Sequence, residues 1–424
     1  MNGKNVAIMA AILVLAIGAG VFALSQMDAD NKIFYDGRAR TYTVDLSIDN
    51  TSAGTLSSYG GQIANGDAFT CSVYPRAAGY DFDGWFNGDK LMSRSETYTF
   101  TVKGNVSLEA RYSIKHDASF TITPTNARSP ASITATSTYN VEVVQRTWLI
   151  EDVLTKEKLL NKATYQGLDG SVSLTVTKGR ALSVSQTVVY SDGQTATSKS
   201  VKVVDETVPK HFSWKYSQGG WSIFGILNNK SVTWDPQLSF AWYYNALSSP
   251  LPRNNGYSTI GSYVTYNDPM IRSLALSLKS TDTGMNDLAL ANFILKFVQS
   301  IPYEYDSAGK GVADYWKLPA ETLWEGKGDC EDHAFLYASL LKALGYKVVL
   351  HYIYCYENGK FVGAHMALGV ALVNVPGGGP SYTTVSGLNY YYCEATAIVG
   401  TNWLNSANIG YMPSGYRIID TYTV

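Results

Sequence analysis

The chain has little charge and few cysteines. Of its 424 residues 16% are charged, the net charge is −2, and no basic stripe or run of like charge occurs. A nucleic-acid surface needs clustered lysine and arginine, so a nucleic-acid partner is not expected. Four cysteines do not make a disulfide framework. Cys71 stands alone in its region, and we expect Cys355 and Cys393, on strands that are not nearest neighbours, to stay unpaired.

Long uncharged apolar runs are also scarce, and the one present lies at residues 6–24. Its length of about 19 residues is enough to cross a bilayer as a helix. Lys4 precedes it and Asp28 and Asp30 follow it, which predicts a cytoplasmic N-terminus. We therefore expect residues 1–30 to form a single-pass signal anchor in the cell membrane, with the rest of the chain extracellular. The alternative is a cleaved signal peptide and a secreted protein.

What the chain has in quantity is hydrophobic sequence, at 46%, and 31 tyrosines. This length and composition predict more than one core. Residues 40–114 contain short alternating segments separated by Gly and Asn turns, and residues 118–205 contain a second series of such segments. The sequence thus predicts two all-β domains, at 31–115 and 116–206. A final domain is predicted at 207–424.

The final domain contains a cysteine at the predicted start of a helix. The block Gly-Asp-Cys-Glu-Asp-His at 328–333 precedes a mostly apolar run, with Asp329 placed to be the N-cap and Gly345 to be C′. Unpaired N–H groups and the helix dipole at this end favour a thiolate and can receive an oxyanion. Two acidic neighbours, Glu331 and Asp332, oppose this, so the thiol of Cys330 needs an imidazole nearby. The alternative is a structural cysteine in a buried helix.

A predicted β-hairpin supplies that imidazole. Residues 346–356 are rich in β-branched and aromatic side chains, a turn follows at 357–360, and the returning strand contains His365. Period-two alternation puts small residues on the face of His365, leaving room for a substrate or for the cysteine helix: Gly363, Ala367, Gly369 and Ala371. A third strand at 390–396 contains Glu394, placed to orient the imidazole.

Cysteine, histidine and glutamate in this order form a nucleophile, a general base and an orienting acid. These residues also have simpler interpretations, since a lone histidine on a strand is often structural and a glutamate at the end of a strand is often solvated. A metal site is a competing reading, and it would use four side chains: Cys330, His333, His351 and Cys355. Because their spacing matches no closed zinc pattern, we expect no metal. His333 is expected at the rim of the site or in the core.

Sequence upstream of Cys330 predicts the rest of the catalytic domain. Helices are expected over 269–278 and 285–300, the second with its N-cap near Asp282 or Thr283. An aromatic segment at 212–244 is either core or the wall of a substrate groove.

Residues from about 265 to 412 resemble the transglutaminase-like cysteine peptidases and amidases of the papain-like superfamily. The matching text includes Pro-x-Glu-Thr-Leu at 319–323, Gly-Asp-Cys-Glu-Asp at 328–332, Gly-Ala-His-Met at 363–366 and Tyr-Tyr-Tyr-Cys-Glu-Ala-Thr at 390–396. The resemblance implies an α+β fold without a cofactor. It also implies Cys330 as nucleophile, His365 as base and Glu394 as third member. Animal transglutaminases carry Asp in the third position, so cross-linking is not implied.

The same resemblance implies an oxyanion site made by the backbone N–H of the nucleophile and an upstream side-chain donor. The candidate donors are Trp324, Trp316 and Gln299, and we expect the backbone of Cys330 to act alone.

The two β regions carry resemblances of their own. The block Gly-Tyr-x-Phe-x-Gly-Trp at 79–85 resembles the internalin-type B-repeat of surface proteins, which implies a spacer or adhesive module. Residues 118–205 resemble a PKD-type immunoglobulin-like sandwich with Trp148 as its core tryptophan.

Together these features predict a multidomain protein with an N-terminal transmembrane helix, two all-β domains and a papain-like domain. The expected function is an exported, membrane-anchored, thiol-dependent amide-bond hydrolase acting on a protein or peptide. The alternatives are a transglutaminase and a non-catalytic surface adhesin or scaffold on the same fold.

Overall fold

The fold is given by a computed structural model that describes residues 40–165, 170–221, 227–254, 257–281, 284–373, 375, 380–396 and 408–424. It is multidomain, with an all-β N-terminal region followed by a domain of helices and sheet. The predicted anchor at 1–30 lies outside the described residues. Within the described residues, no helix is both long enough and apolar enough to cross a membrane.

The first β region is built from eight short strands around a small core. They are β1 Thr41–Ile48, β2 Gly54–Leu56, β3 Gly60–Ala64, β4 Ala68–Pro75, β5 Tyr80–Asn87, β6 Lys90–Ser93, β7 Thr97–Thr101 and β8 Val106–Ile114. One sheet has the order β3-β1-β8-β5-β6 and the other β2-β4-β7. Trp85 is fully buried between them, so the tryptophan of the block at 79–85 forms core.

The second β region also has two sheets. Its strands are β9 Phe120–Thr123, β10 Ala127–Arg128, β11 Ala131–Ser137, β12 Val143–Asp152, β13 Lys158–Tyr165, β14 Ser171–Val176, β15 Arg180–Tyr190 and β16 Thr195–Asp205. The sheet orders are β10-β16-β15-β12-β13 and β14-β11-β9. Trp148 on β12 is fully buried in the core, where its ring meets Phe120 edge-on. Its predicted core position is confirmed, while the PKD-type assignment stays a prediction.

Two strand pairs lead into the helices of the last domain. The strands are β17 Thr207–Pro209, β18 Phe212–Trp221, β19 Leu227–Trp234 and β20 Gln237–Ser239. The α-helices are α1 Phe240–Leu247, α2 Pro269–Ser280, α3 Asp287–Gln299, α4 Asp306–Gly309, α5 Pro319–Glu325 and α6 Cys330–Ala343, with a 3-10 helix at Tyr257–Tyr263. The hairpin of β18 and β19 packs Trp214 and Trp234 against Phe297 of α3. In this hairpin, these two tryptophans therefore form core.

Helices α2 and α3 confirm the predicted periodicity. The N-cap prediction for α3 was wrong, because the cap is Asn286 rather than Asp282 or Thr283. The Asn286 side chain accepts the N–H of Ala289 at 2.8 Å, which satisfies one of the free donors of the first turn. Capping residues near a helix start compete closely, and apolar periodicity does not choose between them.

A five-stranded antiparallel sheet ends the chain. Its strands are β21 Val348–Glu357, β22 Lys360–Ala371, β23 Tyr382–Val385, β24 Leu388–Cys393 and β25 Tyr416–Thr423, in the order β23-β24-β22-β21-β25. The predicted hairpin is confirmed as β21 and β22. Its turn residues Asn358 and Gly359 have φ of 48° and 77°, the positive values that a two-residue hairpin turn requires.

The sheet packs on α6 with the opposite face of β22 from the one expected. The core that contains α6 includes Met366, Leu368 and Val370, whereas Ala367 packs in a separate cluster with Tyr392. Of the two alternatives for the small side chains on the His365 face, room for the cysteine helix was therefore wrong, and room for a substrate stays a prediction. Alternation defines which residues share a face, but it does not say which face a helix covers.

Candidate active site

The thiol of Cys330 lies at the first residue of α6. As predicted, Asp329 is the N-cap, and Gly345 follows the helix with a φ of +94°. Asp332 reaches back to accept the N–H of Asp329 at 3.3 Å, which ties the first turn together. Cys330 is partly buried, and its Sγ donates to Glu331 Oε2 at 3.1 Å.

The surroundings of Cys330 oppose the thiolate. Burial, and then the carboxylates of Glu331 and Asp329, raise the pKa of the Cys330 thiol well above its usual value. The backbone N–H of Met366 lies within hydrogen-bonding reach of the sulfur and acts in the other direction. In this resting geometry the protonated thiol is favoured, which agrees with the need for a base.

The carboxylate of Glu394 is held by four donors. His365 Nε2 lies 3.0 Å from Oε1 and 2.9 Å from Oε2, and Tyr392 donates its hydroxyl to Oε2 at 2.9 Å. Thr396 donates both its hydroxyl, at 2.6 Å, and its backbone N–H, at 3.1 Å, to Oε1. Burial alone would raise the pKa of Glu394, but the charge of His365 and these bonds outweigh it, so the pKa is lowered. An ionised, fixed carboxylate results.

The backbone next to His365 reaches Cys330 at an open edge of β22. Strand β24 pairs with β22 from Leu368 onward and ends at Cys393, so it does not cover the edge at Met366. There the Met366 N–H reaches the Cys330 sulfur, one residue from His365. With Nε2 engaged by Glu394, the Nδ1 atom of His365 is the nitrogen left to serve a thiol.

Tyr416 joins these groups from β25. Its ring centroid lies 5.5 Å from that of His365. Burial, and then the charge of Glu394, raise the pKa of Tyr416, and Cys330 contributes in the same direction. The hydroxyl is therefore neutral, and it lies within hydrogen-bonding reach of the Cys355 thiol. Nothing in the local sequence singles out this tyrosine among 31.

The candidate oxyanion donors lie in different surroundings. Gln299 is buried and donates Nε2 to the backbone oxygen of Glu394 at 2.7 Å, so this amide braces the segment that carries the carboxylate. Trp324 stacks on Tyr243 with centroids 5.2 Å apart and lies under Lys210 Nζ. Trp316 is buried in the core. The identity of a second oxyanion donor stays a prediction.

The Cys and His set of the competing metal reading is not assembled. His351 is fully buried, and its Nδ1 pairs with Thr421 Oγ1 at 3.0 Å. His333 is also fully buried, and burial followed by the charge of Lys317 lowers its pKa to about 4. His333 thus packs in the core rather than at the rim. Among the described residues, the one group spaced to hold a metal consists of carboxylates.

Sequence reasoning missed the buried ion pairs behind the site. Glu321 accepts from Arg253 Nη1 at 2.7 Å and from the hydroxyl of Tyr315 at 2.9 Å. Lys317 Nζ lies 3.4 Å from Asp332 Oδ2 and 3.5 Å from Glu325 Oε2. The Pro-x-Glu-Thr-Leu block at 319–323 was a signal that could have found the first of these pairs. Glu321, the glutamate of this block, forms buried bonds that fix the segment leading into α6.

Residues 270–375 match the family model of the transglutaminase-like domain. The chain contains a transglutaminase-like domain. The matched range includes Cys330 and His365, while Glu394 lies beyond it. Residues 44–116 match the divergent InlB B-repeat domain, in agreement with the resemblance seen at 79–85. No curated protein matches the chain.

Two solved structures are similar to the chain over much of its length. One is described as "a putative cysteine protease from Cytophaga hutchinsonii", with 13% identity, a TM-score of 0.24, and 70% of this chain and 84% of that chain covered. The other is described as "a putative protease from Parabacteroides distasonis", with 12% identity, a TM-score of 0.21, and 85% and 72% covered. These scores are too low to support an argument about the arrangement of the domains.

Proposed function

We propose that the transglutaminase-like domain is a thiol-dependent amide-bond hydrolase, a cysteine peptidase or amidase, with Cys330, His365 and Glu394 as its triad. The observation that supports this most strongly is the buried Glu394 carboxylate bonded to His365 Nε2. Burying an ionised acid is costly unless it is paired. In the proposed triad this partner orients the imidazole that serves the helix-borne thiol.

The proposed reaction proceeds through a thioester. Cys330 Sγ bonds to the carbonyl carbon of the substrate amide while its proton passes to His365. The C–N bond then breaks, and the amine leaves with that proton. His365 next takes a proton from water, whose oxygen attacks the thioester and releases a carboxylic acid and the Cys330 thiol. The first-turn N–H groups of α6 receive the negative oxygen in both halves.

Water or an amine can resolve the thioester, and this separates a hydrolase from a transglutaminase. We expect the full chain to cut or deamidate peptides whether or not a primary amine is added. Mass spectrometry of the products measures this. Isopeptide-linked products would instead identify a transglutaminase that uses the same triad. Cys330→Ala should abolish all products, and Cys355→Ser, which changes a free thiol on β21, should keep them.

Trapping tests the scaffold alternative. A peptide aldehyde or other thiol-directed covalent probe should modify Cys330 in the native chain, and His365→Ala should slow that modification. Equal modification of Cys330 in native and urea-unfolded protein, with no product from any peptide, would favour a non-catalytic scaffold.

The location of the enzyme belongs to the same proposal. We infer that residues 6–24 anchor the chain in the cell membrane and that the β regions hold the catalytic domain outside, where its substrate is a protein or peptide. Fractionation of cells expressing the full chain should place it in the membrane, with the C-terminal domain open to added protease. Recovery of a shortened chain from the medium would instead support cleavage, and recovery of the intact chain in the soluble cell fraction would oppose export.

A further inference from the structure

Three buried carboxylates meet at the N-terminus of α6, outside the triad. Asp306, Asp329 and Glu331 each place one oxygen within 4.8 Å of the others. Their residues are 4%, 8% and 7% exposed. The three come from two separate segments, because Asp306 begins α4 while the other two flank Cys330.

A short backbone pairing holds these segments together. Tyr303 and Gly328 form a parallel bridge, in which the N–H of Glu304 donates to the oxygen of Gly328 at 2.9 Å. Asp306 Oδ2 accepts the N–H of Tyr315 at 2.6 Å, which fixes the orientation of the carboxylate. The position of Asp306 against α6 is therefore determined by the fold.

One oxygen of Asp306 and one of Asp329 lack a donor, while the carboxyl groups of Asp329 and Glu331 lie within hydrogen-bonding reach of each other and can share a proton. Asp306 Oδ1 and Asp329 Oδ1 are buried and have no hydrogen-bond donor. In the part of the chain that the structure describes, no lysine or arginine forms an ion pair with any of the three carboxylates. The nearby Lys317 pairs with Asp332 and Glu325 instead. Buried negative charge of this kind is stable only when it is neutralised.

We propose that Asp306, Asp329 and Glu331 bind a hard divalent cation, and that Ca²⁺ is the ion that fits. The group offers carboxylate oxygens and no imidazole, which is the donor set that Ca²⁺ prefers. Oxygens at this spacing can all reach one ion at Ca–O distances of about 2.3–2.6 Å, and the neighbouring backbone and water complete the coordination. This site departs from the expectation of no metal, and it does not depend on the proposed catalytic activity.

Calorimetric titration of the metal-stripped full chain with CaCl₂ tests the site directly. We expect one Ca²⁺ per chain, weaker binding of Mg²⁺, and a rise in Tm when Ca²⁺ is added, because an ion that binds the folded state stabilises it. Binding should weaken as the pH falls, since the carboxylates must be ionised. The absence of both heat and a Tm shift up to millimolar Ca²⁺ would overturn the proposal and show that shared protons neutralise the group.

Asp306→Asn is the decisive variant. Its amide oxygen can still accept the Tyr315 N–H, so the loop keeps its hydrogen bond while one ligand charge is lost. We expect the Kd for Ca²⁺ to rise at least about tenfold. Asp235→Asn removes an exposed carboxylate in the same way and should bind Ca²⁺ like the native chain.

Two further variants keep the result interpretable. If Asp306→Asn does not fold, Glu331→Gln tests the same site from the other segment and should also weaken binding. Native affinity in whichever of these variants folds would overturn the proposal. Cys330→Ala should lose amide-bond cleavage and keep Ca²⁺ binding, so failure of the catalytic proposal and failure of the cation site give different results.

Discussion

The imidazole of His365 and the carboxylate of Glu394 form a bonded pair in which both carboxylate oxygens lie within 3.0 Å of Nε2. Glu394 is 1% exposed, and Tyr392 and Thr396 complete its hydrogen bonds. The ring is thereby held with one nitrogen toward the acid. In the proposed mechanism the other nitrogen exchanges a proton with the thiol.

Glu394→Gln should separate orientation from charge. An amide of nearly the same shape removes the negative charge that stabilises the protonated imidazole. We expect kcat to fall by about 10² to 10⁴ with a smaller change in KM, measured on a peptide selected from the library. Circular dichroism should show an unchanged fold. Glu357→Gln, at the exposed end of β21, is the matched control, and a native kcat in Glu394→Gln would remove Glu394 from the mechanism.

Substitution by alanine should affect the stability of the chain differently at two glycines of β22. At Gly369 an added Cβ would lie 2.8 Å from His351 Nε2 and 2.9 Å from Tyr390 Cβ, whereas at Gly363 nothing lies within 4 Å. We expect Gly369→Ala to lower the free energy of unfolding by about 1–3 kcal/mol, because overpacking forces its neighbours to move. Thermal unfolding of both variants measures this. Equal Tm values would show that His351 and Tyr390 adjust freely.

Local patterns predicted the parts of the domain that local physics determines. The Asn-Gly turn and the β-rich segments on both sides defined the hairpin, and Asp329 and Gly345 marked the two ends of α6. In each case the interaction that determines the structure joins residues that are close together in the sequence. These elements bring Cys330 and His365 to the same region of the domain.

Features made by distant residues were not predictable in this way. The pairing of Arg253 with Glu321 spans 68 residues, and the meeting of Asp306 with Glu331 depends on the bridge at Gly328. Neither hydrophobic periodicity nor a turn motif indicates which buried carboxylate pairs with which cationic side chain. For the same reason the face of β22 that packs on α6 could not be assigned before the structure.

Glu321→Ala should test whether the 319–323 block serves the fold. The side chain is fully buried, and its Oε1 accepts from Arg253 and from the N–H of Leu318 at 3.1 Å. Removing it leaves the Arg253 guanidinium, whose side chain is 15% exposed, without its counter-charge, so we expect a loss of about 3 kcal/mol in the free energy of unfolding. Chemical denaturation followed by near-UV circular dichroism measures it. Glu357→Ala, which removes an exposed carboxylate, should leave stability nearly native, and a similarly small loss for Glu321→Ala would contradict the structural role.

His351 should make the stability of the domain depend on pH. Burial lowers the pKa of His351 to about 4, below the ordinary value of 6.5. Between those values the unfolded chain binds a proton that the folded chain refuses, so stability is full above pH 6.5 and is lost as the pH falls toward 4. At about 1.4 kcal/mol per pKa unit, the loss amounts to about 3 kcal/mol.

The difference in Tm between pH 7 and pH 4.5 measures this contribution. His351→Gln removes the titrating group, so we expect a smaller Tm difference than in the native chain, even though the lost packing on Tyr392 lowers Tm at both pH values. His211→Gln is the control, because His211 is 66% exposed and lies outside the core. If His351→Gln keeps the native Tm difference, the acid sensitivity comes from other groups and the buried imidazole does not resist protonation.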